Sequence, residues 1–195
     1  MKHTPPVFNS SSTVSMDLSI TLLQIEDVST RFQSLKMQTW MMMTWKDGRL
    51  AWDPHEYDNI MNIRVPSSMV WEPDVMLWNS PTGVHFTRVP LVLYHDGSLT
   101  HVRPTSIKSR CSIDKHRPND SFTCKLKFGS WTYDGNMFDI KMKAGERGFD
   151  MAWFQQNPNY AVISTNSTRH VEYYPCCPEP YVDITFEITL QRRQV

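Results

Sequence analysis

From residue 182 to residue 190 the chain alternates strictly: Val182, Ile184, Phe186, Ile188 and Leu190 are apolar, and Asp183, Thr185, Glu187 and Thr189 between them are polar. Successive side chains of a strand point to opposite faces, so a period of two predicts a strand with one buried face. Val14, Met16, Leu18, Ile20 and Leu22 repeat the pattern near the start. Turn signals divide the rest at Asp47-Gly48, Thr82-Gly83, Asp96-Gly97 and Asp134-Gly135, each between segments rich in β-branched or aromatic residues. Asp96-Gly97, set between 91–94 and 99–102, is the clearest hairpin. No window holds a helical period over three turns with caps, and residues 143–159 read as a long surface loop of the kind that often carries function. The expected fold is all-β, an immunoglobulin-like antiparallel β-sandwich. A length of 195 residues suits one such domain over 1–195.

Charge and hydropathy exclude several functions. Twenty Lys and Arg balance twenty Asp and Glu, which leaves no basic field for a phosphate backbone. Apolar stretches are only a few residues long, against the roughly 20 that cross a bilayer. No apolar signal core follows Met1-Lys2-His3, so the start reads as one from which a leader was removed or as an engineered start. Three Asn-x-Ser/Thr sequons, at Asn9, Asn119 and Asn166, point to the secretory route. The four cysteines, Cys111, Cys124, Cys176 and Cys177, agree with an oxidising, extracellular compartment, and they permit three pairings.

Tryptophan is abundant, with seven residues. A single buried Trp usually serves the core, but several here lie beside turn signals rather than in apolar runs. Aromatic faces carry negative quadrupole density, so several of them converging make a site for a quaternary or protonated amine, at about 2 kcal/mol per desolvated contact. Cys176-Cys177 is the most unusual dipeptide. Neighbouring Cα atoms sit about 3.8 Å apart, under the usual disulfide span of roughly 4.4–6.8 Å, so a bond between them would be strained. Two free thiols, or separate bridges to Cys111 and Cys124, are the alternatives. The dipeptide stands inside Tyr173-Tyr174-Pro175-Cys176-Cys177-Pro178-Glu179-Pro180-Tyr181.

That string, read from Tyr174 to Tyr181, resembles the C loop of nicotinic receptor α subunits and of the soluble acetylcholine-binding proteins, members of the Cys-loop receptor family. Other segments resemble the family's further ligand-binding loops. They are 124–133 with Trp131 for the B loop, Trp71-Glu72-Pro73-Asp74 leading into the A loop, and 40–45 followed by Trp52-Asp53-Pro54 for the D loop. The resemblance runs from about Pro6 to Arg193, with the motifs in order. It implies disulfides Cys111–Cys124 and Cys176–Cys177 and a site shared between subunits of a pentameric ring. Trp78, Trp131, Tyr174, Tyr181, Cys176 and Cys177 would form the principal face. Trp40, Val92, Thr100 and Val102 of a neighbour would form the complementary face. The resemblance places Asp150 and Trp153 in the F loop. Trp78 stands where the family has tyrosine, exchanging a phenolic hydroxyl for an indole N–H. The family's N-terminal helix is expected to be missing, because Pro6-Val7-Phe8-Asn9 already matches the link that follows it.

Between Cys111 and Cys124 lie twelve residues, one fewer than in channel-forming relatives. Arg117-Pro118-Asn119-Asp120 replaces their apolar Phe-Pro-Phe-Asp, which packs on a membrane domain. Polar groups buried without partners would cost several kcal/mol there. The expectation is therefore a secreted homopentamer that binds acetylcholine and nicotine-like cations. The alternative is the extracellular domain of a channel subunit. An enzyme is not expected. The seven histidines show no His-x-x-x-His spacing on a helix, and there is no Cys-x-x-Cys, so no metal is called for. No cofactor is implied. A lectin-like sandwich would fit the composition but leaves Cys176-Cys177 beside three tyrosines unexplained.

Overall fold

The computed structural model describes residues 4–7, 12–80, 83–114 and 121–193. Eleven strands follow in order: β1 (Val14–Ser29), β2 (Ser34–Lys46), β3 (Asn62–Val65), β4 (Val75–Leu77), β5 (Val84–Phe86), β6 (Leu91–Tyr94), β7 (Ser98–Arg110), β8 (Phe122–Ser130), β9 (Phe138–Met142), β10 (Tyr160–Tyr173) and β11 (Pro180–Arg192). The only helical segments among the described residues are three single 3-10 turns. Residues 4–7 carry none; Phe8 and Asn9 lie outside the described residues.

The strands form two sheets. One has seven strands in the order β3-β6-β7-β2-β1-β9, with β5 pairing β7, and the other has four in the order β10-β11-β8-β4. This is the sandwich that the alternation predicts. One ladder is parallel: β9 runs beside β1 with Val14 opposite Phe138 and Leu18 opposite Met142. The chain crosses from β8 to the other sheet before β9, and arrives on β1 in the same direction. Loop 143–159, expected as a loop from its glycines and proline, continues that seam as backbone hydrogen bonds from Lys143 to Leu18, from Asp150 to Ile20 and from Leu22 to Asp150. Gly148, at φ +117, packs against Thr165 and Asn166 of β10, where a Cβ would lie 2.7–2.9 Å from their atoms.

The core lies between the sheets. Met16, Leu18, Ile20 and Leu22 of β1 and Met37, Met41 and Met43 of β2 meet Leu126 and Phe128 of β8 and Ile184, Phe186 and Ile188 of β11. Phe128 and Phe186 meet edge to face at 6.0 Å. Burying each such side chain contributes roughly 1.5–3 kcal/mol. Asp96-Gly97 makes the expected hairpin between β6 and β7, with Gly97 at φ +82, a conformation glycine adopts without Cβ strain. The strand β11 differs from a half-buried one at Asp183 and Thr185, both buried on its polar side. Asp183 is fully buried on its polar side, because β11 is an inner strand and the side chains of Lys127 and His170 close over it.

Candidate functional site

The four-stranded sheet presents most of the residues expected on a principal face at one end. Register pairs Asp183 with Gly129 and Ile184 with Phe128, so two residues further on Tyr181 runs beside Trp131, just past the end of β8. On the other flank of β8, β4 pairs Val75 with Ser130 and Leu77 with Phe128, and the next residue, Trp78, donates its backbone N–H to the Lys127 carbonyl at 2.8 Å. β10 and β11 form a hairpin whose last pair is Tyr173 with Pro180. Its tip carries Tyr174 and the bonded pair Cys176–Cys177, closed by a Cys177 N–H to Tyr174 carbonyl turn. The second disulfide joins Cys111 to Cys124. Both pairings are those the resemblance implied; the intervening Arg117-Pro118-Asn119-Asp120 lies outside the described residues.

Tyr174 and Tyr181 meet edge to face at 5.6 Å. Trp131 is 62% exposed and Tyr174 42%, so large aromatic surface stands open to water. Trp45 and Trp71, in contrast, are buried against each other and belong to the core. Trp78 is half-buried. Its ring lies on Gly129, where any Cβ would come within 2.2 Å of it, and the Lys127 ammonium stands 5.4 Å from its centroid. Part of its π face is therefore already used by the protein itself.

Two polar clusters hold these aromatics, and sequence reading assigned neither. Asp74 receives hydrogen bonds from Ser130 Oγ (2.6 Å), Thr132 N–H (2.7 Å) and Thr132 Oγ1 (2.6 Å), which fixes the backbone on both sides of Trp131. Behind the hairpin, Asp183 accepts from Thr185 Oγ1, with His170 Nδ1 at 2.9 Å and Lys127 Nζ at 3.0 Å. The carboxylate thus ties β8, β10 and β11 together. The signal for Asp74 was present in Trp71-Glu72-Pro73-Asp74; that for Asp183 was hidden, since an Asp in an alternating strand reads as solvated.

A third cluster anchors the segment leading into Trp78. Glu72 Oε1 lies 2.8 Å from His101 Nδ1 and 3.2 Å from Arg103 Nη1, and His101 Nε2 faces the Val89 carbonyl at 3.1 Å. Burial works to raise the Glu72 carboxyl, but the His101 hydrogen bond and the Arg103 charge outweigh it and hold the group below the ordinary carboxylate range. Burial likewise pushes Arg103 below the usual guanidinium value, with Glu72 opposing. Its guanidinium stacks on Phe86 at 4.5 Å.

The residues expected on a complementary face lie on the outward face of the seven-stranded sheet. Val92 of β6 stands opposite Thr100 of β7. On the adjoining β2–β7 ladder, Thr100 pairs with Thr44, Val102 with Met42 and Trp40 with Pro104. Their parity is opposite to that of the buried His101 and Arg103. Trp153, 67% exposed, rests against Trp40 at 6.3 Å, on a loop that Asp150 pins through a hydrogen bond from Thr21 Oγ1 and an Asx turn to Ala152. Within one chain, among the described residues, no ring contact joins this group to the principal-face aromatics. Of the three sequons only Asn166 falls within the described residues, exposed on β10 with Thr168 also exposed. No group of three or more His, Cys, Asp or Glu among the described residues could hold a metal, and no helix there is long and apolar enough to cross a membrane.

Comparison with known proteins agrees with this geometry. Residues 1–194 match the family model described as neurotransmitter-gated ion-channel ligand binding domain. Similar proteins include acetylcholine receptor subunit alpha-L1 of Schistocerca gregaria, 37% identical over 96% of this chain and 36% of its own length. Neuronal acetylcholine receptor subunit alpha-9 of Rattus norvegicus is 39% identical over 96% of this chain and 40% of its length. Subunit alpha-10 of Homo sapiens is 38% identical over 96% and 42%. The chain thus spans less than half the length of these relatives. The family is one of ligand-binding domains, not of enzymes. With the sandwich, both disulfides and a match along almost its whole length, the chain belongs to the family of neurotransmitter-gated ion-channel ligand binding domains.

Proposed function

We propose that the chain binds acetylcholine and nicotine-like amines in an aromatic cage completed between neighbouring copies of a closed homopentamer. The carrying observation is that the exposed Trp131 lies just past the end of β8, where the register brings Tyr181 alongside, and that Tyr181 meets the exposed Tyr174 edge to face on the hairpin that carries the Cys176–Cys177 tip. Such a cage favours large, weakly hydrated cations over sodium, since a small ion loses too much hydration. Trp131 supplies the main cation–π contact, and Tyr174, Tyr181 and the disulfide close over the ligand. Trp40, Val92, Thr100 and Val102 of the next copy cover the exposed side. Because the two half-sites lie on different sheets, the contact is head to tail and must close to avoid a filament.

A secreted, soluble binding protein is the form we favour, supported by Arg117 and Asn119 at positions where an apolar surface would dock on a membrane domain. A glycan on Asn166 fits its exposed position on β10. The second reading, the extracellular domain of a channel subunit, is favoured by the names of the similar proteins, which are receptor subunits. Titration with acetylcholine and nicotine, followed by tryptophan fluorescence, tests the cage. Expression of the full gene product in animal cells separates the two forms: detergent-free recovery from the medium supports the secreted one, and retention in the membrane fraction supports the channel subunit.

A further inference from the structure

The outward face of β2 and β7 changes character toward the Cys111 end. Beyond Trp40 and Val102, a cavity of about 540 Å³ opens between β2, β7 and β5. Register sets Lys36 directly opposite Lys108, and Ser34 opposite Arg110; His85 of β5 faces Ser106. Like charges opposite each other in a sheet destabilise it. Lys36 is relieved by Glu26 at 2.7 Å. Lys108 and Arg110, both exposed, have no carboxylate within ion-pair distance among the described residues, and no Asp or Glu lines the cavity. The Ser34 and Ser106 hydroxyls, which also line it, make no hydrogen bond among the described residues. In a chain whose formal net charge is zero, this is a local cationic field, with free hydroxyl donors set into it.

We propose that this cavity is an anion site for a tetrahedral oxyanion, phosphate or sulfate, either free or as a monoester. Adjacent strands lie about 4.8 Å apart, so Lys36, Lys108 and Arg110 stand around one point from two strands. A doubly charged group with several acceptor oxygens converts their mutual repulsion into shared charge-assisted hydrogen bonds. The Ser34 and Ser106 hydroxyls donate to its remaining oxygens. A monovalent, spherical anion such as chloride uses few of these donors. The site is separate from the amine cage: Lys36 lies four residues along β2 from Trp40, and Lys108 six along β7 from Val102, roughly 13 and 20 Å at the rise of a strand.

The test compares inorganic phosphate with chloride at matched ionic strength, by thermal unfolding and calorimetry, on the intact oligomer. Phosphate is expected to raise Tm beyond the chloride control, since a ligand that binds only the folded state stabilises it. The double variant Lys108→Gln/Arg110→Gln should weaken phosphate at least tenfold and leave acetylcholine affinity unchanged. Phosphatidylcholine vesicles with and without phosphatidic acid identify the source of the anion. Binding only to the acidic vesicles, lost in the double variant, assigns a membrane headgroup. No vesicle binding beside a phosphate effect assigns a soluble anion. Equal effects of chloride and phosphate, or a phosphate effect kept in the double variant, would overturn the proposal. So would a change of oligomeric mass in that variant, which would make these residues a subunit contact instead.

Discussion

Trp131 and Trp78 differ in what surrounds them, and that difference sets what each substitution does. Trp131 is exposed in the single chain and its flanking backbone is held by Asp74, so Trp131→Ala removes a ring without opening a core cavity. Thermal stability should hardly change, while affinity for a quaternary amine falls at least tenfold, because a desolvated cation–π contact is worth about 2 kcal/mol and 1.4 is one decade. Trp78→Tyr gives up part of a ring that already faces Lys127 and covers Gly129; its effect on amine affinity should stay under about tenfold. Fluorescence titration of both variants, with Tm recorded alongside, checks the contrast. Unfolding of Trp131→Ala would make that side chain a core residue. At this scale the motif string was enough to name the aromatics, but not their supports. Asp74 lay within a recognised motif, but it and Asp183 act through partners some 56 and 13 residues away in sequence, and a local motif does not name the partner.

Elements were legible where one face is dry. The alternation in β1 and β11 and the Asp96-Gly97 hairpin appear in the structure as the sequence predicts. The parallel β1–β9 ladder was not legible, since which strands pair is decided by the crossover after β8 and not by local pattern. The segment leading into Trp78 is held to β7 by Glu72, His101 and Arg103. Glu72→Gln leaves Arg103 buried without its counter-charge, and should cost about 2–3 kcal/mol in urea unfolding at neutral pH, somewhat less than a fully buried pair. The pH dependence has a definite sign. A carboxyl depressed in the folded state contributes its full stability above the unfolded value of 4.5 and loses it as pH falls through the lower folded value. The gap between wild type and Glu72→Gln should therefore narrow below pH 4.5; a gap constant from pH 7 into strong acid would contradict the assignment. The β10–β11 tip behaves differently, because its cysteines are far from the core. Cys176→Ala/Cys177→Ala should weaken amine binding yet change stability by under about 1 kcal/mol. Mass spectrometry of the native protein should find no free thiol, and both cysteines in one peptide lighter by two hydrogens.

At the scale of the molecule, the two halves of the proposed cage occupy separate places: Trp131, Tyr174 and Tyr181 at one end of the four-stranded sheet, Trp40 with Trp153 on the outer face of the other. On the proposed reading, a chain built in this way binds well only when a neighbour brings the second half, so assembly and affinity are one property. Native mass measured without detergent, on the same sample titrated with nicotine, tests this most directly. The account predicts a homopentamer whose nicotine affinity falls together with the ring when subunit contacts are broken. A monodisperse monomer that binds nicotine as tightly as the assembled form would contradict it.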